Sequence, residues 1–138
     1  MRRKLVVPLG VAAMILSTSP FAGPREELLA QYATAARTDA PTFSGFSAAR
    51  GKTLYTQKFS GGKPDTPACT ACHGENPRGA GRTLTGKDIE AVAVSVTPKR
   101  YTDAAKVEKW FKRNCNEVLG RACTAQEKGD WLSYMLSQ

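Results

Sequence analysis

The chain has 138 residues, which fits one domain once any targeting segment is set aside. It carries 20 Lys and Arg against 12 Asp and Glu, a formal net charge of +8. These basic residues are spread along the chain, without a Lys/Arg block or interleaved aromatic residues. The composition therefore gives no support for nucleic-acid binding.

The N-terminus has the pattern of a secretory signal peptide. Three basic residues at 2–4 precede an apolar run at about 5–16. About a dozen apolar residues are too few for a transmembrane helix, which needs roughly 20. We therefore predict that residues 1–22 are a signal peptide, cleaved near its end, and that the mature protein is periplasmic.

The most informative motif is Cys69-Thr70-Ala71-Cys72-His73. C-x-x-C-H is the attachment signature of c-type haem, in which both thiols form thioethers with the porphyrin vinyl groups. The adjacent histidine then becomes the proximal ligand of the iron. The motif predicts one covalent haem c, attached to Cys69 and Cys72 and ligated by His73.

Two other interpretations of this motif are weaker. A thioredoxin-like C-x-x-C needs a strand-to-helix setting. Here the preceding segment is predicted to be a loop, because it contains the glycine pair at 61–62 together with Pro64 and Pro67. A zinc site needs four ligands, and with one His in the chain only Cys115 and Cys123 are left to complete the set. In an oxidising compartment these two cysteines are more simply a disulfide.

The rest of the chain predicts helices and no sheet. The predicted helices lie at about 26–36, at 48–58 with Ser47 as N-cap, at 103–116 with Thr102 as N-cap, and from a Thr124/Glu127 capping box to 136. The segment at 79–98 is predicted to be loop, with at most one short helix at about 87–92. The predicted division is a signal peptide (1–22), an N-terminal helix and linker (23–46) and a cytochrome c domain (47–138). The fold class is all-α, with the helices packed around the haem.

The distal iron ligand is approached by elimination. Electron-transfer haems usually take Met or His, but no second His exists and Met135, the only Met beyond the predicted signal, suits core packing better. Helical periodicity places Val107, Trp110, Phe111 and Asn114 on one face, which is expected to be buried. The Asn114 amide has two possible roles. It is either a structural group that bonds to the backbone or caps the helix, or it faces the iron. Periodicity alone does not favour one role over the other.

Further side chains are candidates for contacts with the haem. Trp110 and Phe111 either wall the distal pocket or are ordinary core aromatics, and both roles are compatible. The candidates for the haem propionates, each of which also suits a solvated surface, are Arg78, Arg82, Lys87, Arg100 and Tyr101.

Several segments form a combination more specific than the haem motif alone. They are Gly61-Gly62-Lys63-Pro64-Asp65-Thr66-Pro67, the motif with Gly74, Thr85-Gly86-Lys87, Thr102-Asp103, Val107-Glu108-Lys109-Trp110, Arg113-Asn114-Cys115-Asn116 and Gly120-Arg121-Ala122-Cys123-Thr124. Together they resemble the SHP family of bacterial high-spin cytochromes c, over most of the chain from about Leu28 onward. Ala49, Gly51, Leu54 and Tyr55 also follow the A-x-G-x-x-L-Y pattern of the first helix in class I cytochromes c.

The resemblance implies a class I cytochrome c-like fold, with Asn114 as the distal axial ligand and a disulfide between Cys115 and Cys123. It also implies binding of a small molecule such as oxygen or nitric oxide at the reduced iron. A diheme cytochrome c is the expected electron donor, with a membrane cytochrome as the alternative.

Two functions follow from these predictions. The favoured one is a periplasmic monohaem cytochrome that accepts electrons and binds a diatomic ligand at a reduced iron that Asn114 has vacated. An oxidoreductase acting on oxygen or nitric oxide would be one form of it. The other is a simple electron-transfer cytochrome c with a closed sixth coordination position. The first is favoured because a weak amide donor is a poor choice for a carrier with constant coordination.

Overall fold

The computed structural model describes residues 22–138, so the predicted signal peptide lies outside the described residues except for its last position. The elements in chain order are α1 (Pro24–Asp39), α2 (Ala48–Thr56), α3 (Thr70–His73), β1 (Gly81–Arg82), β2 (Asp88–Ile89), α4 (Ala104–Leu119) and α5 (Ala125–Ser137). The mainly helical architecture confirms the predicted all-α class. Within residues 22–138, none of the helices combines the length and apolarity that a membrane span requires.

The central contact is the crossing of α2 and α5. A Cβ at Gly51 would overlap the backbone carbonyl of Asp130 and come within 2.8 Å of the Tyr134 Cβ, so only glycine lets the helices approach this closely. Asp130 is 3 % exposed. Its carboxylate accepts hydrogen bonds from Arg50 Nε and from the Ser47 backbone N–H, each at 2.7 Å. A backbone contact and a paired, buried carboxylate therefore fix the crossing.

The core consists of three connected groups of apolar side chains. One joins α1, α4 and α5 and contains Leu28, Tyr32, Val107 and Leu132. The second contains Tyr55, Val92, Tyr134 and Met135, and the third contains Leu54, Val118 and Leu119. Met135 is 0 % exposed, which confirms the prediction that it packs in the core.

Two of the three predicted N-caps are confirmed. Ser47 caps α2 by accepting from the Arg50 backbone N–H at 3.2 Å, and Thr124 with Glu127 forms the complete capping box of α5. The third is wrong, because Asp103 rather than Thr102 caps α4. The Asp103 carboxylate accepts from the Lys106 backbone N–H at 3.0 Å, and a negative charge is favourable at the positive end of a helix.

The C-terminal end of α4 also lies beyond the prediction. The helix continues to Leu119, three residues past the predicted end at Asn116. Gly120 then ends it in the left-handed conformation, with φ +73°. The last turn of α4 therefore lies after Asn114, and this turn contributes to the site described below.

The segment after the haem motif corrects two predictions. There is no helix at 87–92, and β1 and β2 form a small antiparallel pair where no sheet was expected. The turn between them is closed by Thr83, whose backbone N–H donates to the Lys87 carbonyl at 2.8 Å and whose hydroxyl accepts from the Lys87 N–H at 3.0 Å. Gly86 takes φ +85° in this turn, a conformation that glycine adopts without strain.

Gly51→Ala tests the helix crossing. Alanine normally favours a helix over glycine, but here its methyl group would meet the Asp130 carbonyl, which cannot move without shifting α5. We expect a loss of about 1–3 kcal/mol in the free energy of unfolding, measured by denaturant titration. Lys52→Ala, at an exposed position of the same helix, is the control and should stay within about 0.5 kcal/mol of wild type. Equal stability of the two variants would contradict the close approach.

Candidate haem site

The C-x-x-C-H motif forms a single helical turn. Cys69 is the N-cap of α3, and its carbonyl accepts hydrogen bonds from the backbone N–H groups of Cys72 at 3.3 Å and His73 at 3.1 Å. Residues spaced three and four apart lie on one face of a helix. Both thiols are free of disulfides and half-buried. The turn therefore places two thiols and an imidazole side by side, which is the donor set that a covalent haem requires.

Two neighbouring elements hold this turn in position. β1 passes so close that a Cβ at Gly81 would overlap the Cys72 carbonyl oxygen and lie 2.9 Å from the His73 Cα. On the other side, the Tyr55 hydroxyl of α2 donates to the Gly74 carbonyl at 2.5 Å. The side chains of α3 are thus presented on a backbone that is fixed from both sides.

The His73 imidazole is suited to binding a metal ion. Burial lowers its pKa from 6.5 to about 4, with a smaller contribution from the positive charge of Arg100, so the ring is neutral at ordinary pH. A neutral imidazole has the free lone pair that ligation needs. No residue within 22–138 hydrogen-bonds to the ring, whose closest aromatic neighbour there is Trp131, at 6.4 Å between centroids. The donor set therefore fits a haem iron.

The structure disfavours the two other interpretations of the motif. Cys115 and Cys123 form a disulfide, which confirms the predicted pairing and leaves neither thiol for zinc. The described part of the chain contains no group of three or more His, Cys, Asp or Glu side chains arranged to hold a metal ion. Burial raises the pKa of the Cys69 thiol to about 12, whereas redox-active C-x-x-C motifs depend on a lowered thiol pKa.

The face of α4 that carries Asn114 is not buried along its whole length, and this corrects the prediction. Val107 is 8 % exposed and Phe111 is half-buried, but Trp110 is 42 % exposed and Asn114 is exposed. Phe111 is the last residue of this face that packs against the core. Its ring meets that of Trp131 edge-on, with 6.4 Å between the centroids. The other core helices therefore reach one side of this face only.

The Asn114 side chain makes no hydrogen bond with any residue of 22–138. It also does not cap the helix, since α4 continues to Leu119. The nearby Asn116 behaves differently, because its amide Nδ2 donates to the Lys112 carbonyl at 2.6 Å. The sequence left two roles open for the Asn114 amide. In this structure it does not adopt the first of them, since it neither bonds to the backbone nor caps the helix.

A glycine junction ties the segment before the motif to the last turn of α4. We define it as residues 61–66 together with 117–120. The Glu117 carbonyl accepts from the Lys63 backbone N–H at 2.7 Å and from the Thr66 hydroxyl at 3.3 Å. A Cβ at Gly62 would overlap the carbonyl oxygens of Glu117 and Val118, so the two backbones are in direct contact. The chain leading into Cys69 is thereby fixed to the helix that carries Asn114.

Two of the candidate propionate partners are engaged with other groups of the protein. Arg82 pairs with Asp88 in the hairpin at 3.0 Å. The guanidinium of Arg100 donates to the carbonyls of Glu90 and Ala91, both at 2.7 Å, and so holds its own loop. The role of these cations towards a propionate remains a prediction, as it does for Arg78 and Lys87.

Tyr101 and Trp131 form a hydrogen-bonded pair beside His73. The indole N–H donates to the Tyr101 hydroxyl at 3.3 Å, and this hydroxyl donates to the Val92 carbonyl at 3.0 Å. Trp131 also meets the rings of Tyr55 and His73, at 5.6 and 6.4 Å. The sequence analysis did not single out Trp131, because its spacing in the terminal helix carries no sign of these partners.

Comparison with known proteins decides the family. The family described as a domain of unknown function, DUF1924, matches residues 41–135. The cytochrome c-type protein SHP of Cereibacter sphaeroides is 45% identical over 140 residues, which cover 100% of both chains. The chain belongs to the SHP family of c-type cytochromes. Its cofactor is accordingly covalently bound haem c.

Further relatives of this SHP-family cytochrome agree in sequence and fold. Cytochrome c'' of Methylophilus methylotrophus is 35% identical over 82% of this chain and 79% of its own. The structure of oxidised SHP, an oxygen-binding cytochrome c, has a TM-score of 0.77 and 47% identity, and covers 85% of this chain and 98% of its own. Oxidised cytochrome c'' has a TM-score of 0.73 and 34% identity, with coverages of 83% and 94%.

The Cys115–Cys123 disulfide is expected to stabilise the end of α4. It closes a loop with a sequence separation of 8, so its loss should lower the free energy of unfolding by about 2–3 kcal/mol in the chain-entropy model. The double variant Cys115→Ser/Cys123→Ser, compared with wild type by denaturant unfolding, measures this effect. Adding a reductant should destabilise wild type but not the variant. An unfolding midpoint that the double substitution leaves in place would contradict the prediction.

Proposed function

We propose that this cytochrome holds its haem c through Cys69 and Cys72, with His73 as the proximal iron ligand and Asn114 as the distal one. We further propose that it binds a diatomic gas, oxygen or nitric oxide, at the reduced iron. The observation that carries the proposal is the Asn114 amide, which is exposed on α4 and unbonded within the described residues. The relative SHP is an oxygen-binding cytochrome c, and this supports ligand binding here.

The chemistry of the available donors supports Asn114 as a replaceable ligand. The haem supplies an iron that changes oxidation state and takes a sixth ligand, and the identity of that ligand decides between oxygen binding and electron transfer. The chain has one His, and Met135 is 0 % exposed in the core, so neither of the usual distal donors, His or Met, is available within residues 22–138. The amide oxygen of Asn114 would be a weak neutral donor to ferric iron, and it would be released when the iron is reduced. The freed NH₂ of Asn114 would then be able to donate a hydrogen bond to the incoming ligand.

The surroundings of Asn114 allow its side chain to move while the helix stays in place. Releasing the amide breaks no hydrogen bond to the protein, because none exists within the described chain. Next to it Cys115 is held by the disulfide, and Glu117 is held by the glycine junction. Rotation of this one side chain would therefore be enough to free the position that Asn114 occupies on the iron.

We also propose that the protein is exported to the periplasm and receives electrons there from a diheme cytochrome c, or alternatively from a membrane cytochrome. The Cys115–Cys123 disulfide supports export, because disulfides persist in oxidising compartments. The basic and apolar pattern at 2–16 supports it independently.

Export predicts a specific N-terminus. Protein expressed with its full sequence in a bacterium that matures c-type cytochromes should appear in the periplasmic fraction, with a chain that begins near Gly23. Intact-mass measurement would show the mature polypeptide plus one haem. A cytoplasmic protein that retains residues 1–22 would refute the export proposal and would leave the haem-site proposal to be judged on its own test.

Asn114→Ala tests the distal ligand. We expect the ferric absorption spectrum to change because the amide donor is lost, while the haem stays attached. Asn114→His supplies a strong donor and should give low-spin iron in both oxidation states, with no binding of carbon monoxide after reduction.

Asn116→Ala is the matched control for this substitution. It removes the same side chain two positions along α4, where the amide bonds to the Lys112 carbonyl, and should leave the spectra unchanged. An unchanged ferric spectrum in Asn114→Ala would refute the assignment of Asn114 as the distal ligand.

A further inference from the structure

A polar network joins α1, α4 and α5 beside the core. The Tyr32 hydroxyl of α1 donates to Glu108 Oε1 of α4 at 2.5 Å, and Lys128 Nζ of α5 donates to Glu108 Oε2 at 2.6 Å. We name these three residues the α4 brace. Both carboxylate oxygens of Glu108 are thus bound, each by a different helix.

Both hydrogen bonds of the α4 brace end on the Glu108 carboxylate, whose side chain is 46 % exposed, so solvent weakens its ion pair with Lys128. Tyr32 is 6 % exposed, and its burial, followed by its bond to Glu108, raises the pKa of the hydroxyl well above its usual range. Partial burial alone would raise the pKa of Glu108, but the hydrogen bonds from Lys128 and Tyr32 outweigh this and lower it. A neutral hydroxyl and an ammonium therefore donate to a carboxylate, and charge-assisted hydrogen bonds are roughly twice as strong as neutral ones.

The α4 brace also contacts the aromatic ring next to the proposed ligand. The Lys128 ammonium lies 5.5 Å from the centroid of the Tyr32 ring and 5.9 Å from that of Phe111. The Tyr32 and Phe111 rings meet edge-on at 6.2 Å. Phe111 shares a face of α4 with Asn114, three positions further on. The brace therefore acts on the turn of α4 that leads into Asn114.

Asn114 consequently lies between two anchored positions of its helix. The α4 brace holds Glu108 on one side, and the glycine junction holds Glu117 on the other. Helix α1 lies before residues 41–135, the part that matches the family domain, so the Tyr32 anchor comes from outside that domain. An iron–donor bond tolerates only small displacements, so the stiffness of this stretch affects a weak axial ligand more than a strong one.

We propose that Tyr32 is a positioning residue, which holds the Phe111–Asn114 turn through Glu108 and thereby sets how strongly Asn114 competes with an added ligand for the ferric iron. This inference rests on the proposed role of Asn114. Removing the Tyr32 hydroxyl loosens that turn and weakens the ligation by the amide. An external ligand that must displace Asn114 then binds more tightly.

The test is a titration of the ferric holoprotein with imidazole, followed by absorption. Tyr32→Phe removes one oxygen atom and should tighten imidazole binding by about two- to tenfold, the range expected for a residue coupled to a site that it does not touch. Glu108→Leu should have a similar effect. Glu108→Gln keeps an acceptor for Tyr32 and should restore most of the wild-type affinity.

Tyr134→Phe is the matched control. It removes the hydroxyl of another buried tyrosine, but this oxygen reaches solvent and makes no hydrogen bond within the described residues, so imidazole affinity should stay at the wild-type value. Amide hydrogen exchange supplies a second measurement that is independent of ligand binding. Tyr32→Phe should speed exchange at 108–114 more than at the α4 positions beyond Glu117.

A double-mutant cycle shows whether the effect passes through Asn114. In an Asn114→Ala background nothing has to be displaced, so Tyr32→Phe should no longer change imidazole affinity. Equal affinities for Tyr32→Phe and Tyr134→Phe would overturn the proposal, and so would an effect of the same size in the Asn114→Ala background. Failure of the Asn114 assignment itself appears separately, as an unchanged ferric spectrum of Asn114→Ala alone.

Discussion

The site depends on the glycine junction between residues 61–66 and the last turn of α4. Lys63 and Glu117 are 54 positions apart, yet their backbones are hydrogen-bonded at 2.7 Å because Gly62 has no side chain to keep them apart. The haem motif begins a few residues after this contact, and Asn114 lies one turn before it. A side chain at position 62 would collide with the backbone carbonyl groups of Glu117 and Val118. Backbone groups cannot move aside as the end of a flexible side chain can, so the two halves of the site would be pushed apart.

The proximal half of the site depends in turn on the crossing of α2 and α5. Gly51 and Asp130 set that crossing, and it fixes the positions of Tyr55 and Trp131. Tyr55 then holds the end of α3 through its hydroxyl, and Trp131 lies against His73. The contact between α2 and α5 therefore helps to fix the turn that carries the imidazole.

Local sequence signals predicted the parts of the structure that depend on local interactions. The caps at Ser47 and Thr124 and the burial of Met135 follow from short patterns, and the structure confirms them. The hairpin was missed because the turn at Thr83 and Gly86 offers only a short strand on each side, with no alternation to read. The capping of α4 was misplaced by one residue because Thr102 and Asp103 are both good caps and backbone geometry chooses between them.

The site could be predicted only in part, for a related reason. The motif and the shortage of other donors led to Cys69, Cys72, His73 and Asn114 as candidates. The exposure of Asn114 and Trp110 was missed because it depends on how far the other helices reach along α4. The roles of Glu117 and Trp131 were missed because each arises from partners distant in the chain, which periodicity does not reveal.

The central claim is that a weak amide donor gives way to an external ligand once the iron is reduced. Its most direct test is the absorption spectrum of the reduced holoprotein, before and after carbon monoxide is added. The account predicts high-spin iron that shifts at once on addition of the gas. A low-spin reduced spectrum that carbon monoxide leaves unchanged would contradict it and would indicate a closed sixth position, as in a simple electron carrier.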